Sequence, residues 1–160
     1  MQKMTIQIAV ALLSLLVLAG TSAALLPEMT REDLIIGSET IVQGTVSEVR
    51  CAWAEDHSSI YTYVTLDVAD QFKGAPVGSE LVIQIPGGQV GEITQWVSDT
   101  PTLVPGMEVI LHLFLKETGY LWIYGWEKGV LLVDNGTIPD YLMTVDQFRQ
   151  LVKRTTERAN

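Results

Sequence analysis

The most regular pattern in the chain is an alternation of apolar and polar residues between positions 60 and 68. One parity carries Ile60, Thr62, Val64, Leu66 and Val68. The other carries Tyr61, Tyr63, Thr65 and Asp67. Because successive side chains of a strand point to opposite faces, this period of two predicts a strand with its first set in the core. A polar turn at 55–59 joins it to an earlier strand-like run, and the two predict a long β-hairpin.

The first strand of that hairpin changes parity along its length. Its apolar residues up to Val46 share one parity, whereas those from Val49 to Trp53 need the other. One extra residue in the strand would reconcile the two halves, because a β-bulge shifts every later side chain to the opposite face. We therefore predict a β-bulge near Ser47 and Glu48.

The rest of the chain up to residue 133 also has the texture of strands. Runs bounded by turn residues lie at 81–85, 93–97, 107–115, 120–125 and 130–133. Five or six antiparallel strands would leave open edges in a flat sheet, and closure into a barrel removes them. Tight barrel corners favour glycine, and the candidates are Gly44, Gly87, Gly88, Gly91 and Gly125. The prediction is a mainly β fold, a small OB-like, partly open antiparallel barrel, with a β-sandwich as the alternative.

A helix is predicted at each end of the barrel. Thr30 and Asp33 have the spacing of a capping box for a short N-terminal helix. Thr144 and Gln147 have the same spacing at the start of a C-terminal helix over 144–157. With no linker or internal repeat, residues 25–160 are expected to form one domain.

Residues 1–24 have the pattern of a secretory signal peptide. Lys3 precedes an apolar stretch of 14 residues, and small residues follow at Thr21 to Ala24. A membrane-spanning helix needs about 20 residues, so an uncleaved anchor is the alternative and no span is expected after cleavage. This pattern predicts a secreted or periplasmic protein.

Charge and cysteine content narrow the classes of partner. The chain carries 19 acidic and ten basic side chains, a net charge of −9, which disfavours binding to nucleic acid. Cys51 is the only cysteine, so no internal disulfide can form. Cys51 is interpreted as a small, partly buried apolar residue or as one half of an intermolecular disulfide. A catalytic thiol is disfavoured, because only two histidines are available to activate it.

The order of short motifs from Thr30 to Leu115 resembles an uncharacterised domain of secreted bacterial proteins. The matching residues are Leu34, Val42, Gly44, Val46, Trp53, Tyr61-Thr62, Lys73-Gly74, Pro86-Gly87-Gly88, Gly91, Val97, Pro101, Gly106, Val109 and Leu113-Phe114-Leu115. The resemblance implies export and a barrel-like fold. It implies no activity, because none is established for the family, and Cys51 departs from the family pattern.

Two groups of polar residues are candidate sites of catalysis or metal binding. The turn 55–59 contains two carboxylates, His57 and two serines, but a hydrolytic triad needs side chains that converge, which neighbours in one turn rarely do. Divalent-cation binding there is a second, weaker hypothesis. His112 lies in an apolar strand without ligand spacing to His57 or Cys51, so no zinc site and no cofactor is predicted.

An aromatic stripe is the candidate binding surface. Aromatic residues occupy alternate positions over 120–126, and a straight strand would place all four on one face: Tyr120, Trp122, Tyr124 and Trp126. Tyr61 and Tyr63 could extend this stripe if their strand is adjacent. Burial of the stripe in the core or under the C-terminal helix is the interpretation that the residue types favour, because large aromatic side chains are mostly buried. The Pro86-Gly87-Gly88 stretch with Gly91 is interpreted as a structural corner, because a strand-like run opening with Glu92 follows where a phosphate loop needs a helix.

Three functional hypotheses remain open from sequence. The first is a non-enzymatic exported domain that binds or shields a protein partner through a barrel face. The second is a glycan-binding module that uses the aromatic stripe. The third is a hydrolase or cation site at 55–59, and the oligomeric state is left open.

Overall fold

The computed structural model describes residues 29–159, so the predicted signal peptide lies outside the described residues. Among residues 29–159 there are two α-helices, α1 at Arg31–Gly37 and α2 at Val145–Ala159. The strands are β1 Thr40–Trp53, β2 Ile60–Lys73, β3 Glu80–Pro86, β4 Gly88–Val90, β5 Ile93–Gln95, β6 Glu108–Leu115, β7 Leu121–Ile123, β8 Val130–Leu132, β9 Thr137–Ile138 and β10 Met143–Thr144. Short 3₁₀ helices lie at Trp126–Gly129 and Pro139–Tyr141. Within residues 29–159, no helix is long and apolar enough to span a bilayer.

Five strands close into a ring, in the order β1, β2, β3, β7, β6 and back to β1. All neighbours are antiparallel except β3 and β7, which are parallel and share one bridge pair, Ile83 with Leu121. This weak junction leaves the barrel partly open between β3 and β7. The predicted OB-like barrel is therefore confirmed, and the sandwich alternative is wrong.

Strand β1 is long and bent, and it holds the ring together. It pairs with β2 along its whole length and with β6 over Thr40 to Thr45. The register with β2 shifts between Val46 and Glu48, which confirms the predicted bulge near Ser47 and Glu48. At Gly44 the strands approach so closely that a Cβ would lie 2.3 Å from the carbonyl oxygen of Asp67.

The barrel interior is filled by the side chains that alternate inward from these strands. Val42, Val46, Val64, Leu66, Ile83, Ile85, Leu103, Val109, Leu111, Leu113 and Ile123 form this core. The inward set predicted for β2 is confirmed at Ile60, Val64 and Leu66, each fully buried. Leu103 comes from the connection between β5 and β6, so that connection also contributes to the core.

A second apolar layer lies between the outer face of the barrel and the two helices. It contains Ile35, Ile41, Ile110, Leu131, Val133, Ile138, Phe148 and Val152. Both predicted capping boxes are present, Thr30 with Asp33 and Thr144 with Gln147. Helix α2 spans Val145–Ala159, close to the predicted 144–157.

Lysine 73 ties α1 to the end of β2. Its Nζ donates to the carbonyl oxygens of Ile35, Ile36 and Ser38 at 2.6, 3.0 and 2.7 Å. The last carbonyls of a helix have no intrahelical donor, so a cation there satisfies them and interacts favourably with the helix dipole. Burial lowers the pKa of Lys73.

The predicted strand 120–125 is shorter than expected. Strand β7 ends at Ile123, the chain turns through Trp126–Gly129, and β8 then resumes on the same edge of β6. Backbone angles in the left-handed region interrupt the strand, with φ of 79° at Gly125 and 56° at Trp126. The alternation of aromatic residues predicted a straight strand up to residue 125. That prediction is wrong because residue alternation does not report the backbone angles.

The Pro86-Gly87-Gly88 stretch turns the chain from β3 into the β4–β5 hairpin. Gly87 and Gly88 have φ of 93° and 136°, values that side-chain-bearing residues rarely adopt. A Cβ on Gly88 would lie 2.7 Å from both Cys51 Sγ and Thr62 Oγ1. These contacts support the interpretation of the stretch as a structural corner.

We predict that Gly88→Val destabilises the fold by at least about 2 kcal/mol, because the backbone angle and the two contacts both oppose a side chain. Urea unfolding of the purified domain measures this loss. Gly91→Asn is the matched control: Gly91 has φ of 61°, a Cβ there meets no atom within 4 Å, and asparagine tolerates this conformation. Equal stability of the Gly88→Val variant and the native chain would contradict the assignment.

Candidate functional site

The candidate site is a groove on the outside of β2 and β3, between two loops. One loop, residues 54–59, joins β1 to β2, and the other, residues 116–120, joins β6 to β7. The groove has a volume of about 530 Å³ and is lined by Ala54, Glu55, Asp56, Ser58, Tyr61, Tyr63, Gln84, Thr118 and Tyr120. Its volume falls within the range of about 300–1,000 Å³ that is usual for ligand sites.

Aromatic rings from different strands meet in and beside this groove. Tyr63 and Tyr120 pack edge to face with ring centroids 5.5 Å apart. Tyr61 packs on Trp122 in the same way at 6.2 Å, and Trp122 packs on Trp126 at 6.5 Å. Thus β2 and the segment 120–126, which are far apart in sequence, build one aromatic cluster, although β3 lies between β2 and β7 in the sheet.

Gln84 on β3 holds two of these rings in place. It is only 5% exposed, and its Nε2 donates to the Tyr63 hydroxyl at 3.1 Å. The indole Nε1 of Trp122 donates to Gln84 Oε1 at 2.8 Å. Sequence reasoning missed this residue, although a single amide within the apolar run Leu81 to Ile85 was a usable signal.

Two cations lie on aromatic faces at the edge of the cluster. Lys116 Nζ lies 3.4 Å from the ring centroid of Trp122, and the Arg50 guanidinium lies 4.6 Å from that of Tyr63. Tyr63 is only 8% exposed. The rings that offer most surface in the groove are therefore Tyr61, which is half-buried, and Tyr120, which is 40% exposed.

The predicted stripe of four aromatic residues is divided by the structure. Tyr120, Trp122 and Trp126 join the cluster, but Trp122 and Trp126 do not line the groove. Tyr124 is turned toward α1, where a Cβ on Gly37 would lie 2.2 Å from its hydroxyl oxygen, and it packs on Phe114 at 6.3 Å. The prediction that all four rings share one surface is wrong for Tyr124, because the chain leaves the strand at that residue.

The turn 55–59 forms one wall of the groove. Asp56 Oδ1 accepts from Ser58 Oγ at 2.7 Å and from Ser58 N at 3.0 Å, and these hydrogen bonds lower the pKa of Asp56. His57 instead packs beside Trp53, with ring centroids 6.2 Å apart. The aspartate, histidine and serine therefore do not line up as a triad.

His112 lies on β6, packs against α2 and does not line this groove. It is fully buried, its Nδ1 lies 3.1 Å from the Gly129 carbonyl oxygen, and its ring packs edge to face on Phe148 at 6.0 Å. Its Nε2 has no hydrogen-bond partner among the described residues. Within residues 29–159, no three His, Cys, Asp or Glu side chains converge as a metal site.

Cys51 lies on β1 opposite Thr62 of β2, a residue that alternates with the groove-lining Tyr61 and Tyr63 and does not line the groove. The half-buried thiol lies 3.4 Å from Thr62 Oγ1, beneath Gly88. It lines an apolar cleft of about 340 Å³ under the β4–β5 hairpin. An intermolecular disulfide, which stays a prediction, would require a partner thiol to enter this cleft.

No protein-family model matches the chain, and no curated protein matches it significantly. The fold and the site define an OB-like barrel with an aromatic and acidic groove on its outer face. Its function has to be argued from that groove.

We predict that His112 makes folding stability dependent on pH. Burial lowers its pKa from 6.5 to about 4 in the folded chain, so the unfolded chain binds a proton that the folded chain does not between these values. Stability is complete above about pH 6.5 and falls as the pH falls toward about 4, with a loss of about 2 kcal/mol at about pH 5. Urea unfolding at about pH 7 and about pH 5 measures this loss.

His112→Gln removes the titrating group, so its stability should change much less between these two pH values, whatever its absolute stability. His57→Asn is the matched control, since His57 lies in an exposed turn, and should retain the native pH dependence. Equal pH dependence of the His112→Gln variant and the native chain would show that another group is responsible.

Proposed function

We propose that this protein is a non-enzymatic carbohydrate-binding domain that acts outside the cytoplasm. The observation that carries the proposal is the groove between loops 54–59 and 116–120. Tyrosine rings give it flat apolar surfaces, and hydroxyl, amide and carboxylate groups stand beside them. Sugar rings present this same combination of apolar faces and a hydroxyl edge, and aromatic side chains with a polar tip suit both.

The position of the groove on the barrel supports the same ligand class. In OB folds, the face of strands 2 and 3 with the two flanking loops binds oligonucleotides or oligosaccharides, which is an argument by analogy of fold. The net charge of −9 repels a phosphate backbone. Of the two ligand classes that this face accommodates in OB folds, charge favours the oligosaccharide.

Export is the second part of the proposal. It rests on the pattern of Lys3, the apolar stretch and the small residues before Leu25, which is typical of a secretory signal peptide. A secreted or periplasmic domain would meet the glycans of cell envelopes.

We expect the purified domain to bind one or more oligosaccharides on a glycan array. Tyr61→Ala and Tyr120→Ala should each weaken the binding of such a ligand by about tenfold, because each removes a ring face from the groove. Calorimetric titration of the best array ligand measures the change.

Trp96→Ala is the matched control for loss of an exposed aromatic residue. Trp96 is 81% exposed and lies outside the groove, so this variant should bind as the native chain does. Equal loss in all three variants, or binding that survives loss of both tyrosines, would contradict the assignment of the groove.

Protein-partner binding is a second candidate function, and the β4–β5 hairpin favours it. Trp96 and Ile93 are 81% and 56% exposed, and the charged residues of the segment 87–106 are Glu92 and Asp99, both acidic. Apolar surface with an acidic rim suits a partner segment that carries an apolar anchor beside basic residues. The cleft that contains Cys51 lies directly under this hairpin.

We expect a partner captured from the native culture by the immobilised domain to be lost with Trp96→Ser. Trp126→Ser is the matched control, since Trp126 is also exposed but lies beside the groove. Elution with and without reductant tests the disulfide at Cys51. A partner that is retained by Trp96→Ser and lost with Trp126→Ser would place the contact on the other side of the barrel.

A further inference from the structure

We infer that the groove selects sugars that carry a free amine over neutral and acidic sugars of the same length. This inference rests on the proposed carbohydrate-binding function and names the class of sugar. It follows from the distribution of charge around the groove.

Both charged residues that line the groove are acidic. Glu55 and Asp56 stand on the 54–59 loop, and both side chains are exposed. The N–H and the hydroxyl of Ser58 both donate to Oδ1 of Asp56. The hydrogen bonds from Ser58 lower the pKa of Asp56, so this carboxylate stays ionised in mildly acidic solution.

The positively charged groups lie beside the groove, and the one that acts electrostatically on Asp56 is its chain neighbour His57. No lysine, arginine or histidine is among the lining residues. Lys116, on the opposite loop, has its ammonium over the ring of Trp122, and Arg50 lies over the ring of Tyr63. The groove therefore offers acceptors and negative charge beside the rings of Tyr61 and Tyr120.

A ligand that fits this wall donates hydrogen bonds and carries positive charge. A protonated amine on a sugar ring does both, because the ring packs on tyrosine while the ammonium reaches a carboxylate. A uronic acid would place its own carboxylate against Glu55 and Asp56 and would be rejected. An acetylated amine keeps the ring but loses the charge.

The test is titration of the full domain, at about pH 6 where the amine is protonated, with four probes of equal length. The probes are a glucosamine tetramer, an N-acetylglucosamine tetramer, a galacturonate tetramer and a lysine tetrapeptide. We expect the glucosamine tetramer to bind about fivefold more tightly than the acetylated one, and added salt to reduce this preference. We expect the galacturonate tetramer and the lysine tetrapeptide to bind more weakly than either.

Asp56→Asn and Glu55→Gln isolate the charge. Asparagine keeps the oxygen that accepts from Ser58, so the turn is retained while the charge is lost. Each variant should reduce the ratio of the affinity for the glucosamine tetramer to the affinity for the acetylated tetramer. Thr118→Val, an uncharged change in the same groove, should keep the preference.

The outcomes separate this inference from the proposed function. Equal binding of the two glucosamine-type tetramers, in the native chain and in both charge variants, would overturn the amine preference and leave the carbohydrate proposal intact. Binding of the lysine tetrapeptide as tightly as the glucosamine tetramer would overturn the sugar class, since charge alone would then explain the affinity. Failure of all four probes and of every array glycan would overturn both proposals.

Discussion

The fold depends on one strand that pairs on both of its edges. Strand β1 bonds to β2 along its length and to β6 over its first half, so it closes the sheet into a ring. Such a strand has to bend sharply. Gly44 permits the close approach of β2, and the bulge after Val46 changes which side chains face inward. Without that change of parity, Val49 would point to solvent and Glu48 to the core.

The same closure creates the groove. Ring closure brings the loop after β1 next to the loop after β6, although some 60 residues separate them in the chain. The weak junction between β3 and β7, with one bridge pair, leaves the outer surface between these strands open to side chains. Gln84 fills that position and joins Trp122 of β7 to Tyr63 of β2 by hydrogen bonds. The side-chain hydrogen bond from Trp122 to Gln84 thus links β7 to β3, where the two strands share only one bridge pair.

The parts that could be predicted from sequence are those set by local periodicity. Alternation over 60–68 gave the inward face of β2, the parity change predicted the bulge, and the Thr144 and Gln147 spacing predicted the cap of α2. The length and the end of β7 could not be predicted, because Trp126 adopts a left-handed backbone conformation that is uncommon for tryptophan. The assembly of these residues into one groove could not be predicted from the sequence either. Tyr61 and the 120–126 stripe were recognised, but the role of Gln84 and the acidic wall depend on which loops meet.

The groove differs from the second apolar layer in the burial and the hydrogen bonding of its polar groups. In that layer, His112 is fully buried with one nitrogen unpartnered, and Lys73 gives its three donors to the end of α1, so these groups serve packing and helix stability. In the groove, Gln84 is satisfied by two aromatic partners, whereas the side chains of Glu55 and Asp56 are exposed at the groove wall. Rings that are already fixed lose little conformational entropy on binding, which favours affinity. The aromatic floor and the acidic wall together are what support the proposal of a ligand with both a flat face and a positive charge.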